Sequence, residues 1–291
     1  MGRKWLIVLV LAGLAFVVAL RLRNERHSGT GLGWPVNLAH RGASGLAPEN
    51  TLEAFRLAVE AGAGGLELDV HLTRDGHVVV IHDPTLDRTT NTSGAVAGMM
   101  WEKVREADAG YNFSPDGGAT HPYRGLGLRI PTLAEVLREF PGVVLNIDLK
   151  ADRPGIEAAV LKLLRDSGAE GRALVVSSRL GAVRRFRGLS GGRISTGASR
   201  TETGVFFLLA RLRAERLLRP AYDALQVPLR HWGVPLVTRR FIDAAHASHV
   251  RVDAWTINEE GEMRRLLDLG VDVIMTDRPA TLADVMGERK R

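Results

Sequence analysis

A chain of 291 residues with 45% hydrophobic and 25% charged residues is ordinary for a globular protein, long enough for one large domain or two small ones. With no cysteine it holds neither disulfides nor thiolate metal sites, so any metal must be bound by oxygen or imidazole. The net charge of +6 comes partly from the two ends, with Arg3, Lys4, Arg21, Arg23 and Arg26 at one and Arg289, Lys290 and Arg291 at the other; with no aromatic-rich basic stretch, it suits anionic lipid headgroups better than a nucleic acid.

From Trp5 to Leu20 the chain is uninterruptedly apolar and flanked by basic residues, the pattern of a short transmembrane helix or of a signal-peptide core. No small-x-small cleavage site precedes folded sequence, and arginines follow Leu20 directly. Residues 1–26 are therefore expected to be an uncleaved single-pass membrane anchor in contact with lipid. Arg3 and Lys4 on one side nearly balance Arg21, Arg23 and Arg26 on the other, and the orientation adopted puts the N-terminus inside and the rest of the chain outside the cytoplasm. Residues 27–34, containing Gly, Ser and Thr, read as a linker.

Val36–Ala39 is a short apolar run that gives way to His40, Arg41 and Gly42, as a buried parallel strand does on reaching a rim. Asn50, followed by Glu53 three residues later, predicts a capping box that opens a helix with apolar Leu52, Phe55, Ala58 and Val59. In Gly65–Thr73 the alternation sets Glu67, Asp69 and His71 on one face, with Leu66, Leu68, Val70 and Leu72 on the other. Carboxylates two apart on a strand stand roughly 7 Å apart, and burying both costs several kcal/mol per ion or protonates one. A hard divalent metal removes that penalty; an exposed edge strand with its polar face in water avoids it. Arg74, Asp75 and Gly76 make a turn, and His77–Ile81 returns the chain to His82 and Asp83 at the same rim.

Between Pro84 and Arg129 the periodicity disappears and Gly, Pro, Asn and Asp become frequent, as in a loop excursion over a barrel's active face. Met99, Met100, Trp101, Tyr111, Phe113 and Tyr123 supply either an apolar lining or the excursion's own small core. Helical spacing resumes at Leu133, Val136, Leu137 and Phe140, and in Val143–Lys150 the alternation places Asn146, Asp148 and Lys150 on one face. Strand patterns recur at Ala173–Ser178, Arg193–Ala198, Ala224–Pro228, Arg251–Ile257 and Val271–Asp277, separated by amphipathic helical segments. With the three before them they number eight, which predicts the α/β class and a closed parallel (β/α)8 barrel.

HRGASGLAPENT, the ELDV pair and VVVIHDPTLDRTT resemble the N-terminal signature of the glycerophosphodiester phosphodiesterase family, a branch of the phosphodiesterase-type TIM barrels. VDAWTIN and GVDVIMTDRP resemble its last two strand ends, so the resemblance runs from Val36 to the C-terminus. It implies a barrel domain over residues 35–291 with a small insertion, residues 84–130, after the second-strand hairpin. The implied activity is metal-dependent hydrolysis of glycerophosphodiesters to glycerol 3-phosphate and an alcohol, using one divalent ion, Mg²⁺ or Ca²⁺. Lysophospholipase D-type hydrolysis of lysophospholipids at the membrane is the alternative. Glu67, Asp69 and Asp148 are the implied metal ligands; the family normally carries Glu where this chain has Asp148, one methylene shorter.

A phosphodiester repels nucleophiles and has a poor alkoxide leaving group, so its hydrolysis calls for positive charge, a base and an acid. His40 and His82 are the expected acid–base pair, since imidazole titrates near neutrality. Arg41 offers a planar fork for phosphate and Lys150 a point charge. Trp255 is expected to pack against the glycerol part. Glu49 could contact metal-bound water or substrate, although an acid at a helix N-terminus is the simpler account. His71 shares the acidic face but lies about 13 Å of extended chain beyond Glu67, and the resemblance gives it no role. Asp277 and Arg278 are expected to cap and position the last loop, and His121, His231, His246 and His249 to have surface or packing roles. A tethered binding protein that has lost catalysis is the competing class, and the intact histidine pair and acid set argue against it.

Overall fold

The computed structural model describes residues 33–150 and 154–289. The anchor expected over residues 1–26 and nearly all of the expected linker lie outside them, and among the described residues no helix is long and apolar enough to cross a membrane. Eight strands are parallel: β1 (Asn37–His40), β2 (Gly65–Leu72), β4 (Val144–Leu149), β5 (Ala173–Val176), β6 (Ser195–Thr196), β7 (Ala224–Val227), β10 (Arg251–Ala254) and β11 (Val273–Thr276). They run in the order β6-β5-β4-β2-β1-β11-β10-β7, and a parallel bridge from Gly197 to Ala224, with Ala198 N donating to Ala224 O at 2.8 Å, joins the two ends. The expected (β/α)8 barrel is thus present, on the eight segments where the sequence places strands. The edge-strand alternative for Gly65–Leu72 fails, because β2 is central and all eight of its residues are buried.

The alternation in β2 divides two environments. Leu66, Leu68, Val70 and Leu72 pack outward with Phe55 and Ala58 of α1 (Leu52–Glu60) and with Leu133, Val136 and Leu137 of α3 (Leu133–Glu139). Glu67 and Asp69 face the barrel interior. Helix starts follow local chemistry: Thr132 and Glu135 form a capping box, as do Ser199 and Glu202. The box expected from Asn50 is absent, because Thr51 is the N-cap and accepts from Ala54 N at 3.2 Å. Asn50 is instead left-handed, at φ +59°, and its side chain turns into the barrel mouth.

Two further features position the site. The interior below the mouth is polar: Gln226 Nε2 donates to Asn146 Oδ1 at 2.9 Å and to Asp253 Oδ2 at 3.0 Å, and Arg251 Nε donates to Asp253 Oδ1 at 2.9 Å. Trp34, assigned to the linker from sequence, belongs to the barrel, packing on Leu38, Val273, Leu174 and Ala224 with the Arg251 guanidinium 3.8 Å from its ring centre. Burial against apolar side chains and a cation over its face explain why it is held. After β3 (Val78–Val80), which pairs antiparallel with β2, residues 84–130 carry the short helix α2 (Trp101–Val104). Leu86, Val96, Val104, Ala107 and Ala109 give residues 84–130 a core of their own, with Met99 and Trp101 packed on it.

Candidate active site

The βα loop after β1 opens at His40 and closes when Asn50 N donates to Arg41 O at 3.0 Å. Arg41 lies at φ +56°, a conformation uncommon outside glycine, and Gly42 follows at φ +86°. A Cβ on Gly42 would lie 2.7 Å from the Ala54 carbonyl carbon, so the HRG turn needs glycine both for its dihedral and for close packing on α1. This turn aims His40 and Arg41 at β2. The strand register completes the cluster, with His40 level with Glu67 on one side and Asp69 level with Asp148 on the other.

Each histidine has its Nδ1 engaged by a carboxylate. His40 Nδ1 is 2.7 Å from Asp277 Oδ1, and Asp277 is itself held by Ser44 Oγ at 2.8 Å and Asn258 Nδ2 at 2.6 Å. His82 Nδ1 is 2.6 Å from Asp83 Oδ1. That fixes both ring orientations and leaves Nε2 of each as the atom able to exchange a proton. Burial pulls the His40 imidazole down, but the Asp277 hydrogen bond and the Glu67 charge outweigh it and raise it above its ordinary value. Asp277, despite burial, is held down to about 2 by His40 and Asn258. The expectation that Asp277 only positions a loop is corrected: its carboxylate orients a rim histidine.

The carboxylates between the rings are short of cations. Glu67 accepts Arg41 N–H at 3.0 Å and lies 4.0 Å from His40 Nε2; burial, then the neighbouring Asp69, pushes it up to about 8. Asp69 works against its own burial and stays low because Lys150 and Arg41 face it and Asn50 Nδ2 donates to it at 2.9 Å. Lys150 Nζ bridges Asp69 Oδ1 at 3.1 Å and Asp148 Oδ2 at 2.7 Å. Asp148 Oδ1 is buried with no hydrogen-bond partner, and burial raises its carboxyl. Among the described residues no three acid or imidazole groups converge tightly enough to form a ready-made metal cluster. The expected ligands Glu67, Asp69 and Asp148 do share one mouth, with the Lys150 ammonium between two of them.

The remaining expected residues also reach this mouth. Arg41 Nη1 donates to Glu49 Oε1 at 2.9 Å, and its Nε is 3.2 Å from Asp69 Oδ2. Glu49 is therefore part of the site and not merely a helix-terminal acid. Arg88, from the insertion, donates to both Glu49 oxygens at 2.7 and 2.8 Å and to Asp83, tying the Arg41 side of the mouth to the His82 side. Trp255 stands at the end of β10, 41% exposed, so it is not a core tryptophan. His71 Nε2 is 3.0 Å from His82 O, and burial lowers its pKa, so it supports the His82 segment as a neutral ring. Outside the mouth, His246 pairs with Asp272 and His121 Nδ1 lies 3.0 Å from Phe113 O, in keeping with packing and surface roles.

The model of the Glycerophosphoryl diester phosphodiesterase family matches residues 40–281, which span every side chain just described. The chain belongs to the glycerophosphoryl diester phosphodiesterase family. Glycerophosphodiester phosphodiesterase from Caldanaerobacter subterraneus is 34% identical over 257 residues, covering 86% of this chain and 96% of that one. The enzyme of the same name from Bacillus altitudinis is 33% identical over 262 residues, covering 87% and 98%. Among solved structures, the glycerophosphoryl diester phosphodiesterase domain of a Mycobacterium tuberculosis protein superposes with a TM-score of 0.76 at 25% identity, covering 87% of this chain and 99% of that one. An Oleispira antarctica phosphodiesterase in complex with the product sn-glycerol-3-phosphate gives 0.70 at 27% identity, covering 86% and 96%. The chain is accordingly an enzyme of the phosphoric diester hydrolase class.

Proposed function

We propose that this enzyme hydrolyses water-soluble glycerophosphodiesters to glycerol 3-phosphate and an alcohol, with His40 and His82 as its acid–base pair and one divalent cation, Mg²⁺ or Ca²⁺, at the mouth. The single observation that carries the reading is the paired arrangement of two imidazoles, each oriented through Nδ1 by its own aspartate, on either side of one carboxylate cluster. The product bound to the Oleispira antarctica phosphodiesterase is the one proposed here.

The donor chemistry fits a hard cation. Asp148 Oδ1 has no partner, Glu67 is driven toward its neutral form by burial and Asp69, and every donor is oxygen. Glu67, Asp69 and Asp148 would hold the ion, which when bound neutralises non-bridging phosphate oxygens and lowers the pKa of a coordinated hydroxyl. Arg41 and Lys150 bind and orient the phosphate. One imidazole takes the proton of the attacking hydroxyl while the other protonates the departing alkoxide, so one ring starts neutral and the other charged. Asp277 and Asp83 hold the tautomers this exchange requires. Trp255 offers its exposed face to the glycerol moiety. We further assign residues 1–26 as a membrane anchor with the barrel on the extracytoplasmic side.

Product analysis with glycerophosphocholine and lysophosphatidylcholine, each with and without chelator, tests this reading. Choline and glycerol 3-phosphate released from the soluble diester, in a chelator-sensitive reaction, are the expected result. Cleavage of the lysolipid alone, or a rate indifferent to chelator, contradicts it.

A further inference from the structure

The β7–α7 loop, ahead of α7 (Arg239–Ala247), holds a feature that the catalytic reading leaves unexplained. β8 (Arg230–His231) and β9 (Val234–Pro235) form a two-stranded hairpin closed by Trp232 and Gly233. Trp232 lies at φ +48° and Gly233 at φ +76°, the left-handed pair of a type I′ turn, whose first position favours Asn or Gly. A bulky side chain there is a steric outlier. Burial does not compensate, since Trp232 is 93% exposed. Neither turn chemistry nor packing within the chain accounts for a tryptophan at this tip.

Its neighbours share the pattern. Barrel order places the β1, β11, β10 and β7 loops consecutively along one arc of the mouth. Along it stand Leu46 at 57% exposure, Trp255 at 41% and Val234 at 41%, and Trp255 N donates to Val227 O at 3.1 Å beside the hairpin's base. Basic side chains flank both ends of the arc: Arg278 is exposed next to the Leu46 loop, and Arg230 is exposed at the hairpin, where Nη1 braces the tip by donating to Gly233 O at 3.0 Å; the β10 loop between them carries exposed Glu259 and Glu260, the latter paired with Arg264 at 2.6 Å. His231 stacks on Trp232 with ring centres 4.7 Å apart, and residues 228–240 include no Asp or Glu.

We propose that this arc is a membrane-docking edge, with Trp232 entering the interface of an anionic phospholipid bilayer and Arg230 and Arg278 meeting its headgroups. Tryptophan at the tip of an exposed loop suits the headgroup boundary, where one face of the indole is apolar and its N–H stays wet. Basic residues beside it suit a negatively charged surface and disfavour a basic or purely apolar partner. The inference stands apart from the reaction assigned above, since it concerns which surface the mouth faces and not what is cleaved.

The test uses the full chain with vesicles carrying brominated acyl chains, in phosphatidylcholine alone or mixed with phosphatidylglycerol, and reads quenching of tryptophan emission. Trp232→Asn is the informative variant, because Asn relaxes the turn: its melting temperature should equal or exceed that of the wild type. The wild type should lose more emission than Trp232→Asn on anionic vesicles, and Arg230→Glu should shrink that excess. Equal quenching of wild type and Trp232→Asn on both vesicles would overturn the proposal. So would a dimer in detergent solution that Trp232→Asn dissociates, because a second copy would then be the occupant.

Discussion

Replacing Glu67 with Gln isolates the electrostatic tension at the centre of the site. Glu67 is buried, and burial together with Asp69 pushes it from an ordinary 4.5 up to about 8. The folded protein therefore keeps a proton there that the unfolded chain gives up above about pH 4.5. Stability is fully present below that pH, falls as pH rises, and levels off beyond about 8. A span of about 3.5 units at 1.36 kcal/mol each is about 5 kcal/mol. Gln has the shape of the protonated acid, can accept the same Arg41 N–H and cannot ionise. Asp148, raised by its own burial, is present in both proteins, and its charge is among those that raise Glu67. Urea unfolding of chelated protein should give wild type and Glu67→Gln within about 1 kcal/mol at pH 5, and should leave the variant several kcal/mol more stable at pH 9. Millimolar Mg²⁺ or Ca²⁺ should close the gap at pH 9 by stabilising the wild type alone. Curves equally separated at both pH values would refute the reasoning.

Asp277→Asn should lower kcat by about 10- to 100-fold with little change in KM, because it replaces the carboxylate that orients and charge-balances His40 with a neutral amide, one of whose ends is a donor, without touching the phosphate contacts. It should also remove about 2 kcal/mol of stability that the wild type holds above pH 4 and loses as pH falls toward about 2, measured by acid titration of the fold. Arg88→Ala should reduce kcat/KM by about tenfold, as Glu49 and Asp83 lose their shared cation, while the melting temperature of this exposed position moves little. Gly42→Ala should cost at least about 2 kcal/mol in denaturant unfolding, since its Cβ meets the Ala54 backbone at 2.7 Å and its φ is +86°.

The barrel was legible because its strands are short apolar runs spaced by amphipathic segments, and eight such runs leave few other ways to close a parallel sheet. The inward acids were legible for a related reason: a strict alternation in β2 shows which side chains share a face even before the partner strands are known. Contacts made by loops across the mouth were not. Asp83 and Asp277 follow strand ends, where no periodicity says which way a side chain turns, and their role emerges only when the folded loops meet His82 and His40. Arg88 was hidden in an aperiodic insertion, 39 residues from the Glu49 it binds. Asn50 misled because Asn followed by Glu three residues on is a sound cap signal, yet the left-handed backbone passes the cap to Thr51 and frees Asn50 for Asp69. The polar belt of Asn146, Gln226 and Asp253 was equally out of reach, since its members lie on three strands far apart in sequence.

The most direct test of the two-imidazole account is a comparison of leaving groups. His40→Ala and His82→Ala, each folded by circular dichroism, are assayed on glycerophosphocholine and on the p-nitrophenyl diester of glycerol 3-phosphate, whose leaving group needs no proton. Both variants should lose turnover of the choline ester, by a factor on the order of 10²–10⁴, and one alone should recover on the nitrophenyl ester. Near-wild-type turnover of glycerophosphocholine by either variant, or the same deficit in both variants on both esters, would contradict it.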